Sequence, residues 1–235
     1  MIGCTAYTAD AVAALARHAM GAGASGFAST PPPYCKPFEA EIVAFYTDIA
    51  AAVDGPMMVY NWPHGTNVEI GTALAERLAD IDTVVAFKDS TPDASQFFAS
   101  SRAVVDRVRV FGPYMSVEGL AQLRAHGGDG TIGGGSLFGR PDAEFWEAHW
   151  RGDEDTARAH AERTERLFGK LWLPGGWAGR YGHYSSQLKA LMAILGQPGG
   201  TVRRPRLPVT DPAGWEAMRA ILADEPLLAP AVVEA

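Results

Sequence analysis

The feature that most constrains the fold is a short apolar run followed by a stretch of helical periodicity, repeated along the chain. The runs are Gly26-Phe27-Ala28 and residues 57–60, 84–87, 108–111 and 130–132. Residues 38–53 place Ile42, Phe45, Tyr46 and Ile49 on one helical stripe, residues 71–79 place Leu74 beside Leu78, and residues 117–125 place Leu120 beside Leu123. Ile2-Gly3-Cys4 reads as the tail of a further strand, because Thr8 can cap a helix carrying Val12, Leu15, Ala16 and Ala19. Six strands are therefore expected. They stand roughly 20 to 30 residues apart, which fits a parallel sheet with one helix in each crossover. Both a barrel and a doubly wound sheet satisfy this spacing. Gly128 to Gly133 form a G-x-G-x-x-G match, but its glycines precede and run through the apolar run instead of following it, which argues against a dinucleotide site.

Composition narrows the partners. Hydrophobic residues make up 47% and charged residues 20%, so the chain is apolar enough to bury a core. The net charge of −7, with no basic block, gives no footprint for nucleic acid or an anionic membrane. No apolar run approaches a membrane span, and the first residues lack the order of a secretory signal; a cytoplasmic protein with a small-molecule partner is expected. Cys4 and Cys35 lack metal or disulfide spacing and are expected to be buried thiols. The six histidines lack ligand spacing, so no metal is expected, nor any cofactor. Beyond residues 142–151, helices are expected over 153–168, 185–195 and 211–222, with an irregular aromatic segment at 171–186. This divides the chain into a barrel part, 1–151, and a helical part, 152–235.

Lys88 is one of only four lysines and ends the apolar run Val84-Val85-Ala86-Phe87. Catalytic groups of barrel enzymes sit at the C-terminal ends of strands, where partial desolvation makes a neutral amine available to attack a carbonyl. The plainer alternative is a surface lysine paired with Asp89. The preceding run ends Val59-Tyr60-Asn61-Trp62-Pro63, so a phenol stands at the matching end of the adjacent strand, about 4.8 Å away. Tyr60 can then shuttle protons, or simply cap the core with its hydroxyl in water.

Tyr60-Asn61-Trp62-Pro63 followed by Phe87-Lys88-Asp89-Ser90-Thr91 resembles the Y-N-x-P and K-[DE]-[SA]-[ST] pair of the dihydrodipicolinate synthase/N-acetylneuraminate lyase family. Pro31-Pro32-Pro33-Tyr34-Cys35-Lys36-Pro37 is similar to its P-P-Y-Y-x-K-P segment, and Gly130-Thr131-Ile132-Gly133 to its glycine-rich eighth strand. Leu188-Lys189 and Arg206-Leu207-Pro208 resemble its C-terminal region. The resemblance implies a (β/α)8 TIM barrel with added C-terminal helices. It also implies a Schiff base between Lys88 and pyruvate or another 2-oxo acid, Tyr60 as proton relay, and Tyr34 reaching into a neighbouring subunit's site. The expected activity is an aldolase-type carbon–carbon lyase or a related dehydratase.

The chain departs from the family pattern in three places. The arginine that binds a substrate carboxylate falls at Gly65, so a bidentate clamp is missing there. Pro33-Tyr34 stands where the family has two tyrosines. Aligned by motif, the chain begins inside the third strand, so the barrel is expected to be N-terminally incomplete, with two unpaired edges. A fragment, a start assigned too late, or a genuine six-stranded protein with its edges covered each account for this.

Gly133, Gly134 and Ser136 offer backbone N–H groups and a hydroxyl to an oxyanion, or else serve close packing. Trp172, Trp177, Tyr181 and Tyr184 line either a pocket or an interface. Two other readings stay open: a phosphate-binding barrel isomerase, and a non-catalytic binding or assembly subunit. Tyr34, following three prolines, is expected on a stiff extended segment that projects its ring toward a symmetry mate, in a dimer or a tetramer of two dimers.

Overall fold

The computed structural model describes residues 1–133, 140–176 and 178–225, the side chain of residue 140 excepted. Five parallel strands lie in chain order in one sheet: β1 (Ile2–Gly3), β2 (Phe27–Ser29), β3 (Met57–Asn61), β4 (Val84–Asp89) and β5 (Arg109–Phe111). Each strand is followed by helix: α1 (Ala9–Gly21), α2 (Glu39–Ala52), α3 (Pro63–Thr66) with α4 (Thr72–Ala79), α5 (Ala94–Val104) and α6 (Val117–His126). The sixth apolar run joins as one parallel bridge, Phe111 to Gly130, rather than as a ladder. Glycine lets the two backbones approach, since a Cβ at Gly130 would meet the Phe111 ring at 3.0 Å.

Local signals explain the helices. The Thr8 hydroxyl accepts from Ala11 N at 3.3 Å and opens α1. The buried arc of α1 runs through Val12, Ala13, Ala16 and Ala19, which leaves Leu15 on its flank and 48% exposed, contrary to the expected stripe. In α2 the expected stripe of Ile42, Phe45, Tyr46 and Ile49 is buried, and the Tyr46 hydroxyl donates to Ser29 O at 2.8 Å, tying the helix to β2. Leu74 and Leu78 of α4, Phe97 of α5, and Val59 and Phe87 of the sheet complete this helix–sheet core.

By its internal contacts the chain forms two compact units. The first comprises Met1–Tyr114 and Gln122–Ile132; the second draws on Met115–Ala121 and the residues after Ile132. The second contains α7 (Arg140–Arg151), α8 (Glu154–Leu171), α9 (Tyr184–Ile194) and α10 (Pro212–Ala223). Its core gathers Leu167, Leu171, Trp172, Ala190, Leu191, Met218 and Leu222, with Tyr181 and Tyr184 packed against it. Trp172 is therefore a core residue of this unit, while Trp177 lies outside the described residues. Arg163 of α8, fully buried, reaches Asp142 of α7 at 2.6 Å. Among the described residues no helix is long and apolar enough to cross a membrane.

Candidate active site

The site begins with a register shift. Met57 pairs with Val84 but Met58 pairs with Ala86, so Val85 has no partner across β3–β4. A slip of one residue turns every later side chain to the other face. After the shift Tyr60 stands opposite Lys88 and Asn61 opposite Asp89, while Lys88 also pairs with Phe111 of β5. Without it, Tyr60 would face Phe87 and the lysine would lie on the helix side. The shift therefore places phenol, amine and the Phe111 ring in one row across three strands.

On this front face Lys88 Nζ lies 3.5 Å from the centroid of the Tyr60 ring, a cation–π contact. The amine donates to Ser90 Oγ at 3.2 Å, and Ser90 Oγ donates to the Tyr60 hydroxyl at 3.4 Å. A hydroxyl thus bridges the amine and the phenol oxygen. Both Lys88 and Tyr60 are half-buried, so the amine is accessible to a small molecule.

The back face of the same strand ends is bonded differently. The Asn61 amide donates to Glu69 at 2.8 Å and to Asp89 at 3.0 Å, and its carbonyl accepts from Ile70 N at 3.1 Å. Thr91 N donates to Asp89 at 2.8 Å, and the Thr91 hydroxyl donates to Glu69 at 3.0 Å. Burial pushes the Asp89 carboxyl up to about 6, against the lowering effect of the Thr91 and Asn61 hydrogen bonds; the Glu69 charge raises it further and the Lys88 charge lowers it. The plain alternative of Lys88 paired to Asp89 is not what forms, because consecutive strand residues face opposite ways.

The remaining expected residues are dispersed. Tyr34 is 86% exposed, and its φ of 77° puts it in a bend, not in the extended segment expected. Proline restricts itself and the residue before it, so Pro33 leaves Tyr34 free to turn. Gly133 is exposed, and Gly134 and Ser136 fall outside the described residues. Cys4 is buried as expected, but Cys35 is exposed beside Tyr34 in the same bend. Among the described residues no three His, Cys, Asp or Glu side chains are grouped to hold a metal ion.

Sequence reasoning passed over Ser90, Glu69 and Thr91 as site residues. The polar triplet Asp89-Ser90-Thr91 at the end of β4 was the available signal, since alternation sends Ser90 forward with Lys88 and Asp89 back. Trp62 lies nearly parallel to the Tyr60 ring, 13° between planes and 6.1 Å between centroids.

The sequence profile of the dihydrodipicolinate synthetase family matches residues 1–224. A 4-hydroxy-tetrahydrodipicolinate synthase of Psychrobacter sp. is 33% identical over 155 residues, covering 65% of this chain and 50% of that protein. One from Synechococcus sp. (strain WH7803) is 31% identical over 220 residues, covering 92% of this chain and 67% of that protein. The chain thus spans from half to about two thirds of the length of these relatives. Two solved structures share its fold. Dihydrodipicolinate synthase from Thermotoga maritima has a TM-score of 0.77 at 23% identity, covering 95% of this chain and 74% of its own. YagE from E. coli, solved in complex with pyruvate, has a TM-score of 0.78 at 22% identity, covering 94% and 73%. The described strands and helices are those of an incomplete (β/α)8 barrel followed by C-terminal helices, and the chain belongs to the dihydrodipicolinate synthetase family.

Proposed function

We propose that this chain carries the reacting lysine of an aldolase-type carbon–carbon lyase, or a related dehydratase, acting on pyruvate or another 2-oxo acid through an imine at Lys88. The observation that carries this reading is the row of Tyr60 and Lys88 on adjacent strand ends, with Ser90 bridging them. The amine attacks the 2-oxo carbon, giving a carbinolamine. Its hydroxyl leaves as water after taking a proton, and the nitrogen keeps the new double bond to carbon. The Tyr60 hydroxyl and Ser90 are proposed to hand over that proton and to take one back from C3 as the enamine forms, a role supported by the hydrogen bonds that join Tyr60 to Ser90 and Ser90 to the amine.

Further parts of the site belong to the same proposal. Gly133 and Gly134, with the Ser136 hydroxyl, are proposed to hold the substrate carboxylate, on the general ability of glycine turns to present N–H groups to oxyanions. Tyr34 is proposed to act in a neighbouring copy, within a homodimer or homotetramer. Support comes from its exposure and from its left-handed backbone, a conformation that costs a non-glycine residue about 1–3 kcal/mol. A cytoplasmic location is proposed from the two free cysteines, one of them exposed.

Borohydride reduction in the presence of pyruvate tests the central claim. A mass increase on Lys88, lost in Lys88→Ala, is expected. An unlabelled Lys88 in a folded protein would overturn the reading.

A further inference from the structure

We infer that Trp62 and Gly65 set the substrate class of this site: beyond its 2-oxo acid head, the substrate carries a flat, uncharged aromatic group instead of a second carboxylate. The inference rests on the Lys88 imine proposed above and concerns what lies beside it.

Trp62 leads from β3 into α3, and its indole lies beside the Tyr60 ring on which the amine rests. Lys88 Nζ rests on the Tyr60 ring, and the Trp62 ring lies almost parallel to that ring. Trp62 is 44% exposed, which leaves part of the residue open to a ligand beside the Tyr60 ring.

Gly65 keeps the indole there. The single turn of α3 folds back on Trp62, whose carbonyl accepts from Gly65 N at 2.9 Å and from Thr66 N at 3.0 Å. The Thr66 hydroxyl donates to the same oxygen at 3.1 Å, which fixes the backbone between the two positions. A Cβ at Gly65 would stand 2.1 Å from both Cε3 and Cζ3 of the indole. Any side chain at position 65 therefore evicts the ring, so a cation rooted there and the stacked indole exclude each other.

The charge behind the strand ends works the same way. Glu69 and Asp89 place carboxylates on the back of β3 and β4, held by the Asn61 amide. A substrate tail ending in a carboxylate would meet an aromatic plate where it needs a cation, with like charge behind it. A planar apolar tail stacks on that plate instead.

The test compares borohydride trapping on Lys88 of pyruvate, 2-oxo-4-phenylbutanoate and 2-oxoglutarate, each titrated and read by mass. The phenyl acid is expected to half-saturate at about tenfold lower concentration than 2-oxoglutarate, the size of one aromatic stacking contact. Trp62→Ala removes the plate, and Gly65→Ala displaces it while keeping the indole and favouring the helix. Each should bring the ratio of the two longer acids close to one. A wild-type ratio of one or less, or a preference that survives both variants, would overturn the inference while leaving pyruvate labelling intact. Failure of all three acids to label Lys88 would sink the imine reading and this inference with it.

Discussion

The two faces of the β3–β4 strand ends differ by one residue in sequence and by almost everything in bonding. In front, Lys88 and Tyr60 are half-buried and held by two long hydrogen bonds through Ser90, at 3.2 and 3.4 Å. Behind, Asn61, Asp89 and Thr91 are buried and share five hydrogen bonds with Glu69 and Ile70 N, none longer than 3.1 Å. An amine proposed to form and break bonds to carbon is poorly suited to be the fastener of its strand as well. The rigidity that places it comes from the opposite side of the same backbone.

Replacing the lysine should separate the two faces most sharply. Lys88→Ala is expected to lower turnover on the order of a thousandfold or more, as loss of a nucleophile does. Its unfolding midpoint in urea should stay near that of the parent, since the front face carries little stability. A large drop in that midpoint would show that the lysine is structural and break the comparison.

The reverse is expected behind the strand ends. Asn61→Ala removes the amide that bridges two carboxylates and the acceptor of Ile70 N, at a cost of about 3 kcal/mol in urea unfolding. A loss below roughly 0.5 kcal/mol, the range of ordinary surface changes, would mean that the back face fastens nothing.

Asp89 gives a pH signature for the same cluster. Its carboxyl is raised from 3.8 to about 6, so the folded state holds a proton that the unfolded chain has already released. This contribution to stability is fully present below about pH 4 and lost as pH rises through about 6, amounting to roughly 3 kcal/mol for a two-unit shift. Asp89→Asn keeps an acceptor for Thr91 N and the Asn61 amide, and should flatten that part of the stability profile. An unchanged pH slope in the variant would assign the titration to another group. The smallest effect is expected for Ser90→Ala, about fivefold on imine formation measured in a single turnover, because water can replace one long hydrogen bond.

Much of this arrangement was legible in the sequence. The ends of two apolar runs announce strand ends, and a lysine and a tyrosine at matching ends announce that their side chains can meet. The unpaired Val85 was not legible, because valine suits a regular strand and nothing local marks a slip. The turn α3 was hidden too, since Pro63 and Gly65 within four residues read as a loop breaker. Pro63 sits at the first helical position, where its missing N–H is of no consequence, and the helix ends after one turn at Asn67 in the left-handed conformation. Glu69 escaped notice because its partners, Asn61 and Thr91, come from both neighbouring strand ends, and no periodicity reports a contact of that kind.

The indole seated on Gly65 also orders the mutational routes open to this chain. An arginine that arrives at position 65 first must push the ring aside, and the early variant loses the old contact before gaining the new one. Shrinking Trp62 first clears the space, and the same arginine then enters without conflict. The two positions behave as one inherited trait, and the effect of each substitution changes with the residue already present at the other.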